Sequence, residues 1–440
     1  MPVPARMCLK PVARARTKAA YRFFDHGGFT MQDLLAGHSQ ATARRLGREP
    51  VVLAVQDTTS VNYTAHAATT GLGPIGNCAD GPQGLELHST LAFTPAGVPL
   101  GLVDVQCWAR DGADFGKKAR RHHTPIEHKE SAKWLNSYTA TAAVAKHNRS
   151  TRIVSVGDRE ADMYELFELS ARSEAGPDLL VRASHNRALA NEQQRLWLTL
   201  EAQPLASVVE LAVPRQGNRK ARTAQLEIRF AQVSLKAPRA QRDKLPLTIW
   251  AVLANERDAP AEVKPLEWML LTTIAVITAE QALEKLKWYA QRWGIEVFHR
   301  TLKSGCRIED RQLGSADRLE ACLAIDLVVT WRIHYLNKLS RDVPHMPCTV
   351  YFDEPQWRAL MVFTTRDQAT LQDPALLHDP PSLHEATRRV AALGGFLDRD
   401  GEPGTQTLWR GLQRLDDITD MYAHMTRVPQ RRVFSKDDYG

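Results

Sequence analysis

No two cysteines in this chain stand close enough to form a Cys-x-x-Cys clip. The six present (Cys8, Cys78, Cys107, Cys306, Cys322 and Cys348) are scattered over 440 residues. That excludes a disulfide scaffold or a zinc ribbon and fits a reducing cytosol. Also missing is any apolar run near the ~18 residues of a membrane span. The first 18 residues carry Arg6, Lys10, Arg14, Arg16 and Lys18 with no acid and no apolar signal core. A secretory signal is thereby excluded, and charge alone leaves a transit peptide open. No internal repeat occurs, so a solenoid is excluded as well.

What is present is ordinary in bulk. Hydrophobic content is 43% and charged content 24%, the balance of a soluble protein. The length predicts two or three domains. A net charge of +7 permits nucleic-acid binding without establishing it.

Residues 1–48 read as helical and basic, with helices over Ala19–Phe24 and Met31–Leu46. Val51–Val55 is a buried-type strand ending at Gln56-Asp57. Leu85–Phe93 and Val98–Trp108 are two more, joined by the turn Thr94-Pro95-Ala96-Gly97. Ser131–Lys146 is helical, Ile153–Val156 a strand ending in Gly157-Asp158, and Leu179–Ala183 a further strand after a helix. From 190 to 275 β-type runs (Ser207–Val213, Ala224–Phe230, Leu247–Leu253) alternate with polar turns. Arg215, Arg219, Lys220 and Arg222 mark a basic hairpin tip there. The remainder is helical, broken at Asp379-Pro380-Pro381 and Asp398–Gly404.

The strongest local signal lies in one predicted helix over 278–304. Thr278 and Gln281 read as a capping box, and Gly305 as a stop. At roughly 100° per residue, Tyr289, Arg292, Glu296 and Lys303 fall within a stripe about 60° wide. Leu283, Leu286, Ala290, Trp293 and Val297 form the adjoining core face. Gly294 is costly within a helix by about 1 kcal/mol, so close packing or a ligand is expected against it. A carboxylate, two cations and a phenol on one stripe suit a metal ion beside a phosphate.

Three acids fit one architecture. Asp57 and Asp158 end two strands and Glu296 lies on a late helix, the pattern of a ribonuclease-H-like (retroviral-integrase-like) α/β fold. Phosphodiester chemistry needs an activated oxygen nucleophile, a stabilised leaving oxygen and neutralised phosphate charge. Two divalent ions about 3.5–4 Å apart meet all three needs, and carboxylate oxygens suit Mg²⁺. Each acid alone is ambiguous. Asp57 before Thr58-Thr59 and Asp158 after Gly157 both read as turn residues. Asp158 competes with Glu160 and Asp162, and Glu296 could simply pair with Arg292 or Arg300.

Together these segments resemble the bacterial cut-and-paste DDE transposases of the insertion-sequence-four group, the transposon-five type above all. The resemblance rests on Gln56-Asp57-Thr58-Thr59-Ser60, Asp158-Arg159-Glu160-Ala161-Asp162 and Tyr289-x2-Arg292-x3-Glu296-x6-Lys303, the group's YREK signature. Lys129–Trp134, Trp268–Thr272, Leu393–Phe396 and Thr407–Trp409 match too. The likeness runs from about residue 17 to about residue 425. It implies a catalytic, metal-binding triad of Asp57, Asp158 and Glu296 with two Mg²⁺ ions, Mn²⁺ able to substitute. It implies DNA contacts from Tyr289, Arg292, Lys303, His299, Arg300 and Arg182, and a base stacked on Trp268. Without the family, Trp268 reads as a core aromatic.

The resemblance further implies a DNA partner (inverted-repeat ends and target), a homodimer assembled on DNA, no membrane, and a bacterial cytoplasmic, nucleoid-associated setting. The implied layout is 1–48 a partial N-terminal DNA-binding region, 49–189 and 276–345 the catalytic domain, 190–275 a β-rich insertion, and 346–440 a helical dimerisation region. Leu408, Leu412, Leu415 and Tyr422 are its candidate self-association stripe, though most such stripes are core. His122, His123 and His128 read as a solvated basic loop in preference to a zinc site. The segment before Asp57 is shorter than the family's, which raises the alternative of a truncated, non-cleaving regulator that dimerises with a longer form.

Overall fold

The computed structural model describes residues 11–76, 78–114, 125–190, 195–213, 221–261, 263–365, 378–399 and 401–427. The chain divides into two compact units. The first is Met1–His299 with Ile308–Val328, and the second is Arg300–Arg307 with Val329–Gly440.

The first unit is mixed α/β, built on one sheet. Its strands are β1 (Val51–Asn62), β2 (Gly73–Pro74), β3 (Gln83–Phe93), β4 (Pro99–Trp108), β5 (Arg152–Gly157), β6 (Asp178–Arg182), β7 (Ser207–Val213), β8 (Arg222–Leu235), β9 (Leu247–Arg257) and β10 (Glu267–Thr272). The order is β2-β3-β1-β5-β6-β10-β9-β8-β7, with β4 also on β3. β1 runs parallel to β5, and β5 parallel to β6. β3 is antiparallel to both β1 and β4.

The Val51–Val55 run is β1's buried half, as four of its five residues are fully buried. Each such side chain contributes roughly 1.5–3 kcal/mol. The helix Ala132–His147 lies over this part of the sheet with Trp134, Ser137, Tyr138 and Thr141 turned inward.

Two sequence expectations are corrected here. Asp57 does not end its strand, because β1 continues to Asn62 against β3. Only the pairing with β5 stops, at Val55↔Val156. A polar stretch hydrogen-bonded along one edge lacks the apolar pattern that marks a strand, which hid its second half.

The second correction concerns the helix over 278–304, which is interrupted. It runs Ala279–Ala290, breaks at Gln291-Arg292, resumes over Trp293–Arg300 and ends in a π-turn, Thr301–Gly305. Through the break the amides of Gln291, Arg292, Gly294 and Ile295 bond the carbonyls of Trp288, Tyr289, Gln291 and Arg292, three residues back. Overwinding there shifts the register. Ala290 and Trp293, expected in the core, are exposed, while Trp288 and Tyr289 are buried. Thr278 does cap the first segment, accepting from the Gln281 amide, and the Gln281 side chain accepts from the Ile277 amide.

The strands within 190–275 have no core of their own. β10 pairs with β6, and Val233, Leu253 and Leu271 share one hydrophobic cluster with Trp134, Phe167 and Val181. Of the basic tip, Arg222 is ion-paired across the sheet with Glu256, and 214–220 lie outside the described residues.

The second unit is helical, with Glu354–Thr365, Leu383–Leu393 and Thr405–Arg427 packed together. Leu408 and Leu415 are fully buried within a single chain, and Leu412 and Tyr422 are half-buried.

Gly294 proves to be a close-packing position. A Cβ there would stand 2.8 Å from both Cε1 and Cζ of Phe93, a fully buried ring at the end of β3. Gly294→Ala should therefore lower stability by about 1–3 kcal/mol through overpacking, against the ~1 kcal/mol that alanine gains in helix propensity. Denaturant unfolding checks this, and a variant as stable as the parent would mean the helix does not rest on Phe93.

Candidate active site at the end of a parallel strand pair

Beyond Val55↔Val156 the paired strands separate. Two residues further along each strand stand Asp57 and Asp158, on the same face because side chains alternate with period two. Asp158 also caps the turn after β5, its Oδ1 accepting from the Glu160 amide at 2.8 Å. The turn reading is thus true of it as well.

The neighbouring acids have separate duties. Glu160 pairs with Lys133 at 3.2 Å. Asp162 is buried, accepts from the Ser184 amide at 2.7 Å and pairs with Arg187 at 2.6 Å. Asp158 is the one left beside Asp57.

Charge accumulates around the two aspartates. Burial pushes the Asp57 carboxyl up, but His299 and Arg292 together bring it below the usual range. His299 Nδ1 stands 3.7 Å from Asp57 Oδ2, and Arg292 Nη1 stands 3.9 Å from the same oxygen. These are electrostatic contacts, too long for hydrogen bonds. Asp158 is raised, first by burial and then by the negative charge of Asp57. Glu296, one turn along from Arg292, is ion-paired with it.

A buried polar chain lies beneath. Ser155 Oγ accepts from Gln56 Nε2 at 2.8 Å, Gln56 Oε1 is 3.3 Å from His88 Nε2, and His88 Nδ1 is 2.8 Å from Thr58 Oγ1. Burial drives the His88 pKa down to about 3, so the ring is neutral and ties β1, β3 and β5 together. Sequence reasoning missed His88. Its signal was a lone histidine inside an apolar strand. The Lys129–Trp134 segment, given no role from sequence, lines a cleft of about 510 Å³ with Arg110 and Glu160.

Arg292 links the acids to a second cluster. The Tyr289 phenol is raised by burial, with Asp158 adding and Arg292 and Arg182 opposing. Its ring meets Trp268 edge-on at 5.6 Å and 68°. Arg182 donates to the Glu267 carbonyl at 2.8 Å. Trp268 is half-buried, less enclosed than a core aromatic.

Asp57, Asp158, Glu296, Tyr289, Arg292, His299, Trp268 and Arg182 all lie in the first unit. Arg300 and Lys303 lie in the second, Arg300 exposed and Lys303 half-buried on the π-turn. His122 and His123 lie outside the described residues, and His128 is exposed.

The fit to a metal is partial. Among the described residues no group of three or more His, Cys, Asp or Glu side chains is arranged to hold a metal ion. The aspartate pair, crowded and only partly neutralised, suits a divalent cation. Glu296 faces Arg292 in this conformation.

Residues 328–427 match the family model of the transposase Tn5 dimerisation domain. The match supports a Tn5-like transposase family. The chain is also similar, over 88% of its length, to a solved chain from a "piggyBac transposase synaptic complex with hairpin DNA". Identity is 9% and the TM-score 0.33, too slight to bear on fold or function, and this chain spans 56% of that one. Among the described residues no helix is long and apolar enough to cross a membrane.

The raised Asp158 pKa sets a stability test. The folded state holds the Asp158 proton to higher pH than the unfolded chain does. Stability is therefore lost as pH rises from the ordinary aspartate range through the folded value, and the loss persists at neutral pH. Asp158→Asn keeps the cap acceptor and removes the charge. In chelator-treated protein it should raise the melting temperature at neutral pH and not below the ordinary aspartate range. No gain at neutral pH would mean that the two carboxylates do not strain each other.

Proposed function

We propose that this chain is a DDE-type DNA transposase whose first unit has a ribonuclease-H-like catalytic fold. The observation that carries the reading is the pair Asp57 and Asp158, emerging side by side where β1 and β5 part, with Glu296 joined to Asp57 through Arg292. The sheet order supports it, because β4-β3-β1-β5-β6 has β1, β5 and β6 parallel and β3 and β4 antiparallel. The family match at 328–427 supports it independently.

Asp57, Asp158 and Glu296 would hold two Mg²⁺ ions, or Mn²⁺ in their place, which supply nucleophile activation and neutralisation of phosphate charge. Arg292, a planar fork of donors, suits the scissile-end phosphate. Tyr289 offers a hydroxyl beside it, and His299, Arg300 and Lys303 add positive charge along the backbone. Trp268 presents an indole face for an extruded base, with Arg182 next to it.

The proposed reaction is cut-and-paste transposition. Water attacks at the transposon end, and the freed 3′ hydroxyl attacks the opposite strand to form a hairpin. The hairpin is then opened and the end joined to target DNA. Residues 328–427 would dimerise two copies on paired inverted-repeat ends in a bacterial cytoplasm.

Asp57→Ala, Asp158→Ala and Glu296→Ala should each abolish Mg²⁺-dependent cleavage of DNA carrying the inverted repeats that flank the gene. A loss of ~4 kcal/mol of transition-state stabilisation is about a thousandfold in rate. Circular dichroism should show each variant folded. A variant that still cleaves at the parental rate takes its residue out of the triad.

A further inference from the structure

The Arg292 guanidinium stands between two acids that the proposed function needs for something else. One nitrogen pairs with Glu296 and another lies 3.9 Å from Asp57 Oδ2. The side chain is only 17% exposed, so it is held inside the site. Its backbone is anchored at the overwound junction, where the Arg292 amide bonds the Tyr289 carbonyl at 3.0 Å. The side chain can therefore exchange partners without moving the helix.

A guanidinium and a divalent cation compete for the same carboxylate oxygens and repel each other. While Arg292 holds Glu296, that carboxylate does not join the aspartates. This agrees with the absence of a three-residue metal cluster among the described residues. Glu296 is 34% exposed, and partly exposed ion pairs are weak, so a better partner would break this one. A DNA phosphate is such a partner, presenting paired oxygens to the same planar fork with more negative charge.

We propose that Arg292 is a counter-ion latch that couples assembly of the metal site to DNA. In the DNA-free chain it neutralises Glu296 and Asp57 and keeps them from ligating a cation together. A phosphate of bound DNA takes the guanidinium and releases both carboxylates. The inference rests on the proposed triad and adds its regulation. Divalent ions alone leave the site incomplete, so hydrolytic capacity appears only where DNA is in place. By reciprocity the cation must strengthen DNA binding by the same factor.

Mn²⁺ binding tests this. Free Mn²⁺ is followed by electron paramagnetic resonance in titrations of the full chain with and without a blunt duplex. The duplex-alone signal is subtracted, and saturation of each protein is verified by fluorescence anisotropy. For the parent chain the duplex should tighten Mn²⁺ roughly fivefold or more. Arg292→Gln should bind Mn²⁺ more tightly than the parent without DNA and gain less than about twofold from it. Arg292→Lys keeps a cation but loses the fork, and should show a gain between the two. If either variant gains as much from the duplex as the parent does, the latch is overturned, even if its DNA-free affinity rises through lost repulsion. If Asp57→Asn binds Mn²⁺ as the parent does, the proposed ligand set fails and the latch falls with it. Lost coupling in the Arg292 variants alongside weakened binding in Asp57→Asn supports both.

Discussion

Backbone hydrogen bonding brings two carboxylates together before any side chain has a part in it. Adjacent strands lie about 4.8 Å apart, so residues two places past the last β1–β5 pair are neighbours wherever their side chains turn. Like charges at that spacing disfavour each other's ionised form. The surroundings divide the burden. His299 and Arg292 face Asp57 and hold it ionised, leaving Asp158 with the raised pKa. A structure selected for stability alone has no need of such a pair. Local electrostatic conflict on a well-packed sheet is the mark of a site kept for chemistry.

Helix winding decides which polar side chains reach those acids. An ideal helix would set Tyr289, Arg292, Glu296 and Lys303 on one stripe, but this segment overwinds at 291–295 and underwinds in a π-turn, where Cys306 bonds Thr301 five residues back. Overwinding turns Tyr289 inward against Trp268. Arg292 is placed at the junction, next to Asp57 on one side and Glu296 on the other. Gly294 lets this segment lie on Phe93, at the end of β3. π-Turns inside helices recur at functional sites, and here one carries Lys303.

The site was legible in sequence wherever chemistry and local pattern coincided. Val51–Val55 and Ile153–Val156 are apolar runs that could only be buried strands, and an acid follows each. The polar set on one helix was visible because charged residues seldom gather beside a core face. Other features were hidden because they are decided across space. A strand's second half has no periodic signal when it is polar and paired on one edge. Deviations from 3.6 residues per turn depend on what the helix packs against. The division of labour among Asp158, Glu160 and Asp162 depends on Lys133 and Arg187, distant in sequence from some or all of them. His88 illustrates the limit: its residue type is plain in the strand, but its tie to Thr58 and Gln56 exists only once β1 and β3 are in register.

Continuity of the sheet gives the aromatic cluster its meaning. Residues 190–275 could have formed a separate lobe, in which case Trp268 would move independently of the acids. Instead Leu270 pairs with Arg182 and Leu271 with Val181, and β6 is in turn registered on β5. Trp268 is therefore fixed relative to Arg182 by ladder hydrogen bonds, and Asp158 follows β5 in the same ladder. The side chains that would receive a base and those that would act on a phosphate are spaced by backbone geometry, with a shared core beneath them. Catalytic positioning tolerates errors of a fraction of an ångström, and a single ladder meets that demand better than two lobes joined by a hinge. The mobile part of the site is then reduced to side chains. Among these Arg292 alone is in reach of both carboxylates and, one turn away, the Tyr289–Trp268 pair.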